Sequence, residues 1–277
     1  MRGRIGACSW SVQPSTPGQL IEALTDLRVE CVQLALGPLR RADWDGASLV
    51  HRLRRAGIAI ASGMMATAGE DYSTLESIRE TGGVRPDGHW EANRAAAADH
   101  AAFCAAHGIE LVTMHAGFLP ESSRDPLYRV MLDRLSALAD LFGEAGVDLA
   151  FETGQETAET LLSVLAALDR SNVGVNFDPA NMILYGMGDP VAAFQTLLPH
   201  VRQVHVKDAC PPTTPGARGM EVPVGDGAVD WESFFALVHD APRALDLLVE
   251  REAGDQRRAD IATAIRVILA RSGVTRD

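Results

Sequence analysis

Short apolar runs alternate with longer amphipathic stretches along the whole chain. Ile5–Ser9, Cys31–Leu36, Ile58–Ser62, Glu110–His115 and residues 147–151, 173–177, 202–206 and 245–249 read as strands. They lack the apolar–polar alternation of a half-exposed strand, so both faces of the sheet are expected to be covered. The stretches between them read as helices. Leu20, Ile21, Leu24 and Leu27 form one stripe behind Thr16-Pro17, a cap followed by a first-turn proline. Further helices are predicted over 44–56, 93–106, 126–145, 157–168, 190–198, 230–238 and 258–269, with Gly57, Gly108 and Gly146 as stops. Eight strand–helix alternations without a break in composition predict one closed (β/α)8 barrel, a TIM barrel, over residues 1–277. The runner-up, an open doubly wound sheet, lacks its fingerprints: no GxGxxG follows the first strand and no GxxxxGK[ST] occurs. Two connections are unusually long, residues 63–91 and the Pro/Gly-rich 210–227. Connections of that length are uncommon unless they cover something.

Charge narrows the partners. The 277 residues carry 25 basic against 37 acidic side chains, a formal charge of −12 spread along the chain. Nonspecific nucleic-acid binding rests on basic surface, so no nucleic-acid partner is expected. Cys8, Cys31, Cys104 and Cys210 form no CxxC pair and read as reduced thiols. No apolar run approaches the roughly 18 residues a membrane span needs, and Met1-Arg-Gly-Arg leads straight into a strand. The expectation is a soluble cytoplasmic protein with no membrane partner.

The chemistry gathers at strand ends. Strands five to eight run directly into Glu152, Asp178, His205 and Glu250. In such barrels the reactive groups sit where strands end and the following loops begin. Side chains two apart share a strand face, so Asp178 goes with Asn176, His205 with Lys207, and His115 at the end of strand four with Thr113. Taken singly, each acid is as well explained as a helix cap, and His205 as a buried histidine bonded to a carbonyl. Four such endings on consecutive strands point to a metal site. Three carboxylates and one imidazole suit Mn²⁺, Mg²⁺, Co²⁺ or Fe²⁺; Zn²⁺ has no special claim without cysteine.

Phe151-Glu152-Thr-Gly, Phe177-Asp178-Pro-Ala-Asn181, His205-Val-Lys207-Asp208, Val224-Gly-Asp-Gly-Ala-Val-Asp-Trp231 and Val249-Glu250 resemble the sugar isomerase/epimerase branch of the xylose-isomerase-like barrels. That superfamily includes ketose 3-epimerases, phosphopentulose epimerases and endonuclease IV. The resemblance implies one divalent ion, often Mn²⁺, held by Glu152, Asp178, His205 and Glu250. It also implies that Glu152 and Glu250 double as the proton-transferring pair. A C–H beside a ketone is far too weak an acid for a lone carboxylate, and a cation on the oxygens stabilises the enediolate that forms. Two carboxylates then let one take a proton and the other return it, at the same carbon or its neighbour. One position departs: the free-ketose 3-epimerases carry histidine where this chain has Asn181, and Asp-x-x-Asn is more like the phosphopentulose enzymes.

Other residues are candidates for substrate contact. His115 resembles a family position that touches substrate, with a packed core histidine as the alternative. Lys207 shares the face of His205 and is placed to meet a substrate oxygen or phosphate. Arg218 in the 210–227 insertion and Arg251 beside Glu250 are placed to meet a phosphate, although a surface arginine explains either. Trp90 either lines the site or anchors a helix. His51, His89, His100, His107, His200 and His239 read as water-exposed. The chain thus reads as a metal-dependent isomerase or epimerase of a small sugar, sugar phosphate or keto-cyclitol. A lyase eliminating from a 3-oxo-glycoside is the alternative, endonuclease-type phosphodiester cleavage stands behind it, and a non-catalytic sugar-binding barrel comes last. Related barrels self-associate, so a homo-oligomer is also expected.

Overall fold

The apolar runs pair side by side, all parallel. A computed structural model describes residues 3–214 and 216–271. Its strands in chain order are β1 (Ile5–Cys8), β2 (Cys31–Ala35), β3 (Ala59–Met64), β4 (Leu111–Met114), β5 (Asp148–Glu152), β6 (Val173–Phe177), β7 (Val201–Val206), β8 (Asp208–Cys210), β9 (Met220–Val222) and β10 (Asp246–Val249). Eight of them close into a barrel in the order β1-β10-β7-β6-β5-β4-β3-β2. The (β/α)8 barrel read from the apolar pattern is therefore the fold. Around it lie α1 (Pro17–Asp26), α2 (Gly37–Arg40), α3 (Gly46–Arg55), α4 (Leu75–Thr81), α5 (Trp90–Ala106), α6 (Pro126–Glu144), α7 (Ala158–Leu168), α8 (Pro179–Tyr185), α9 (Pro190–Leu197), α10 (Trp231–His239) and α11 (Arg257–Arg271).

The helices start where local chemistry says they should. Thr16, Asp45, Asp125, Thr157, Asp189 and Asp230 each accept a hydrogen bond from a backbone N–H of the first turn. Such caps satisfy donors that the helix itself leaves free. The apolar side chains sort into two bodies. One fills the space between the barrel and its helices, with Phe142, Phe151, Phe177, Phe194 and Phe234 among its buried members. The other is small and lies inside the barrel: Cys8, Cys31 and Leu248, with Trp10, Ala59 and Ala61 against them. The small side chains among them, Cys8, Cys31, Ala59 and Ala61, leave room in the upper interior for polar side chains.

Both long connections carry structure that composition hides. The 63–91 excursion holds α4 and turns back onto the end of β4, where Val84 N donates to Ala116 O at 3.1 Å. Gly83 makes this approach, with φ +66° and a Cβ position only 2.1 Å from Ala116 O, so no side chain fits. Trp90 packs against the core under the Arg134 guanidinium, 5.5 Å from its ring, and is a helix anchor. The 210–227 insertion contains half of an antiparallel hairpin, β8 with β9. Asp208 holds its far end. Its buried carboxylate accepts from Ala209 N (2.9 Å), Gly225 N (2.9 Å), Gly227 N (3.3 Å), Val229 N (3.2 Å) and Trp231 Nε1 (2.8 Å).

Two expectations are corrected. His100 is not water-exposed: it lies inside α5's packed face at 4% exposure, and burial, helped by Arg40, pushes its pKa down to about 4. Arg251 is not a surface arginine, because its guanidinium is 2.7 Å from Glu221 Oε1 and 2.9 Å from Asp260 Oδ2 with the residue 7% exposed.

Replacing Asp208 with Ala strips five donors of their acceptor at once. The expected loss is about 3 kcal/mol or more of unfolding free energy, read by urea denaturation. His100 adds a pH dependence. The unfolded ring takes its proton near pH 6.5, the folded one only near 4. Stability due to the neutral ring is thus complete above about pH 6.5 and lost as pH falls towards 4. The urea midpoint should fall over that window and fall less in His100→Leu.

Candidate metal centre and active site

Glu152 closes β5 and His205 lies one residue from the end of β7, while Asp178 and Glu250 directly follow β6 and β10. Strand parity turns all four into the barrel mouth. Each is 4% exposed or less, and one ligand atom from each lies within 4.8 Å of the others. His205 Nδ1 sits 3.4 Å from Glu152 Oε1, 3.6 Å from Asp178 Oδ2 and 3.4 Å from Glu250 Oε2.

The cap reading and the site reading of Asp178 both hold, one oxygen each. Oδ1 accepts from Ala180 N at 2.8 Å and Asn181 N at 3.1 Å at the start of α8. Oδ2 is buried without a hydrogen-bond partner and faces His205. His205 Nδ1 is likewise buried without a hydrogen-bond partner. Its other nitrogen is occupied, since Nε2 lies 2.6 Å from Gln33 Oε1. Gln33 is itself oriented, donating through Nε2 to Thr113 Oγ1 at 2.7 Å, and Thr113 in turn donates to Met64 Sδ at 2.9 Å. The Gln33 oxygen also accepts from Cys8 Sγ at 3.3 Å, so it must face the ring. With Nε2–H directed at Gln33, the nitrogen that faces the three carboxylate oxygens is Nδ1. Although burial disfavours charge on the ring, the acids around it raise its pKa well above the usual imidazole range, so Nδ1 would offer its lone pair only to a cation that displaced its proton.

The carboxylates are held by donors from neighbouring elements of the barrel mouth. Glu152 accepts from Asn181 Nδ2 at 2.9 Å and Asn176 Nδ2 at 3.3 Å, and His115 Nε2 is 3.6 Å away. Glu250 accepts from Trp10 Nε1 at 2.9 Å and Lys207 Nζ at 2.8 Å. Lys207 also reaches Glu252 Oε2 at 2.7 Å and Asn181 Oδ1 at 3.4 Å, and it is 2% exposed. A solvated lysine is ruled out. The Glu152-Thr-Gly motif has a steric basis: Gly154, at φ +136°, leaves room where a Cβ would lie 2.2 Å from Asn181 Cβ. That close approach brings the Asn181 amide onto Glu152.

Charge follows geometry. Burial alone would raise Glu250, but the Lys207 cation and His205 hold it well below the ordinary carboxylate range. Burial lifts Asp178 to about 6 despite Lys207. Burial disfavours charge on His115, yet Glu152 and its acidic neighbours raise it above an ordinary imidazole. Three carboxylate oxygens converging on one imidazole nitrogen in a dry pocket repel one another unless positive charge, a protonated ring or a bound cation, sits among them. The two unpartnered atoms, Asp178 Oδ2 and His205 Nδ1, are the observation that the residues fit a metal ion. A competing trio, Cys8 with His205 and Glu250, fits less well. Burial pushes the Cys8 thiol up to about 12, and the histidine nitrogen it faces is the one bound to Gln33. An oxygen-rich set with one imidazole suits a hard or borderline divalent ion.

Of the residues singled out from sequence, Glu152, Asp178, His205, Glu250, His115, Asn181 and Lys207 come together. Arg218 does not join them; it is exposed, with its guanidinium 5.5 Å above the Tyr185 ring. Arg251 is committed to its two carboxylates. Trp10, Gln33, Cys8 and Glu252 were not anticipated, although a Gln in the apolar run Cys-Val-Gln-Leu-Ala of β2 is a signal in hindsight.

The xylose isomerase-like TIM barrel family matches residues 21–271, and the chain belongs to it. A xylose isomerase domain protein from Planctomyces limnophilus superposes with a TM-score of 0.89 at 28% identity, over 98% of this chain and 97% of that one. An L-ribulose 3-epimerase gives 0.75 at 17% identity, over 98% and 95%. The probable 3-DHS dehydratase AsbF of Bacillus anthracis gives 0.73 at 16%, over 97% and 99%. At those identities the last two share the fold. Among curated proteins, the uncharacterized YihM of Escherichia coli (strain K12) is 25% identical over 129 residues, 44% of this chain and 39% of that protein's length.

Metal content tests the site directly. After dialysis against Mn²⁺, elemental analysis should find about one ion per chain in the wild type and in Cys8→Ala, and none in Asp178→Ala or His205→Ala. Gln33→Leu frees the histidine ring and should weaken binding about 10- to 100-fold, the usual cost of removing an outer partner of a metal-bound histidine.

Proposed function

We propose that this member of the xylose isomerase-like TIM barrel family is a divalent-metal-dependent isomerase or epimerase of a small sugar, sugar phosphate or keto-cyclitol. The observation that carries this reading is the pair Glu152 and Glu250, each with an oxygen 3.4 Å from the same His205 nitrogen. They come from β5 and the end of β10, with β6 and β7 between them in the barrel, so they approach one point from separate arcs. Glu152, Asp178, His205 and Glu250 would hold the ion, with Mn²⁺ the first candidate and Mg²⁺, Co²⁺, Fe²⁺ or Zn²⁺ the others. When bound, it supplies Lewis-acid polarisation of a substrate carbonyl, which acidifies the neighbouring C–H.

The chain's own groups do the rest. One carboxylate, Glu152 or Glu250, takes the proton from carbon and the other returns one. Asn181 Nδ2 and Asn176 Nδ2 fix the Glu152 carboxylate, and Trp10 and Lys207 fix that of Glu250, so neither swings away between the two transfers. Asn181 offers its amide to a substrate hydroxyl but no acidic proton. Burial of all these groups excludes water that would otherwise exchange with the carried proton.

A second reading, elimination from a 3-oxo-glycoside or keto-sugar, draws on His115. Its Nε2 is 3.6 Å from Glu152 and its acidic neighbours favour the protonated ring, which suits it to protonate a departing oxygen.

Proton NMR in D2O with ketoses, their phosphates, inososes and 3-oxo-glucosides, first with Mn²⁺ and then with EDTA, separates the readings. Deuterium should enter beside the carbonyl with no group lost from the substrate, stop with EDTA, and slow by about 100-fold or more in Glu152→Gln and in Glu250→Gln. An unsaturated product would select elimination instead. Full turnover in both glutamine variants would sink the two-carboxylate mechanism.

A further inference from the structure

A cavity of about 250 Å³ opens among the connections that leave the site. Its walls continue the strand ends already described. Gln155 and Glu156 follow Glu152 between β5 and α7, and Phe118 follows His115 between β4 and α6. The Phe118 ring meets the ring of Tyr185 edge-on at 5.9 Å, and Tyr185 closes the helix that carries Asn181. Arg79 and Arg85 from the 63–91 excursion complete the wall, the Arg79 guanidinium lying 4.9 Å over Phe118.

Two features of that wall call for a ligand. Gln155 is 3% exposed; the Tyr185 hydroxyl is its polar neighbour, but neither its amide nitrogen nor its amide oxygen completes a hydrogen bond of normal geometry. A buried amide left so costs free energy until something pairs with it. Arg79 and Arg85 likewise have no acidic partner among the described residues. We propose that this cavity is a second subsite that binds a neutral, hydroxyl-rich group, the part of the substrate remote from the reacting carbons; the assignment to substrate rests on the function proposed above.

Donor and acceptor matching decides the class. Gln155 needs an acceptor for its N–H groups and a donor for its oxygen, which a hydroxyl supplies and a phosphate does not. The two guanidiniums donate to hydroxyl oxygens as readily. Charge agrees, because Glu121 and Asp125 face the same space and offset Arg79 and Arg85. Burial pushes Glu156 up to about 8, so at neutral pH it is a further donor rather than a third anion. A near-neutral wall rich in both donors and acceptors fits a sugar ring or a polyol tail, and the volume admits one monosaccharide unit. Phosphate would find no net positive field here.

Ligand-observed saturation-transfer NMR reads the cavity without turnover. The probes are methyl α-D-glucopyranoside for a ring, D-sorbitol for an open-chain polyol, and glucose 6-phosphate for an anion, each at millimolar concentration with EDTA present. We expect transfer to the ring or the polyol, weaker transfer to the phosphate, and a drop of at least about fivefold in both Gln155→Leu and Arg79→Leu. Arg79 is an exposed helix residue, so that variant folds even where Gln155→Leu does not. No transfer to either neutral probe, strongest transfer to the phosphate, or signals unchanged in both variants would overturn the subsite. Deuterium exchange fails separately if the proposed reaction is wrong, so loss of one reading does not mimic loss of the other.

Discussion

Three carboxylates and an imidazole buried at one point are the constraint around which the barrel mouth is arranged. Unpaired buried charge is among the most expensive things a fold can contain, and the penalty falls only if partners or a cation are supplied. Supply comes from nearly every strand. β1 delivers Trp10 through the turn after it, β2 delivers Gln33, β4 Thr113, β6 Asn176 and β7 Lys207. What remains without a hydrogen-bond partner after all of this is one oxygen of Asp178, one nitrogen of His205 and, beside them, Nδ1 of His115. Within the quartet, the two unpartnered atoms are ones that face each other across the centre, 3.6 Å apart. That distribution supports the metal reading over a purely structural ion-pair cluster, although Lys207 does close on Glu250 and Glu252.

The same economy explains why single residues serve two ends. Asp178 caps α8 with one oxygen and faces the centre with the other, which fixes its carboxylate without a further partner. Thr153 binds both the N–H and the carbonyl of Asp178, at 2.8 and 3.1 Å, tying the end of β6 to the loop after β5. Asp208, next to Lys207, spends its carboxylate entirely on backbone N–H groups and Trp231, so it shapes the loop after β7 and adds no free charge to the site. A neighbouring acid that looks like a further ligand by sequence position is thereby accounted for.

Sequence reading reached the barrel and the quartet for the same reason. Parallel strands buried on both faces leave contiguous apolar runs, and ionisable residues at their ends stand out against that background. It failed where the deciding contacts join positions far apart. Gln33, Thr113, Cys8 and Met64 sit on four different strands, and only closure of the barrel makes them one network around His205. The hairpin of β8 and β9 was hidden by proline and glycine in the loop between its strands. His100 looked like any polar residue on an alanine-rich helix, because α5 has little amphipathic pattern to show which face is inside. Arg251 was misplaced since its partners, Glu221 and Asp260, belong to the hairpin and to α11.

Asn181 is the position at which this chain departs from the free-ketose epimerase pattern, and its contacts say what that departure does. Its amide nitrogen donates to Glu152 while its amide oxygen faces Lys207 Nζ at 3.4 Å. It is thus a neutral link between the carboxylate on β5 and the ammonium group that holds Glu250. A histidine there would bring its own titration and, when protonated, a second cation beside Lys207. With asparagine, Lys207 alone sets the positive charge on that side, and it is shared between Glu250 and Glu252 at 2.8 and 2.7 Å. Neither lysine nor asparagine is then free to grip a phosphate. Lys207 and Asn181 thus serve first to hold the carboxylates of Glu250 and Glu152 in place on either side of the centre.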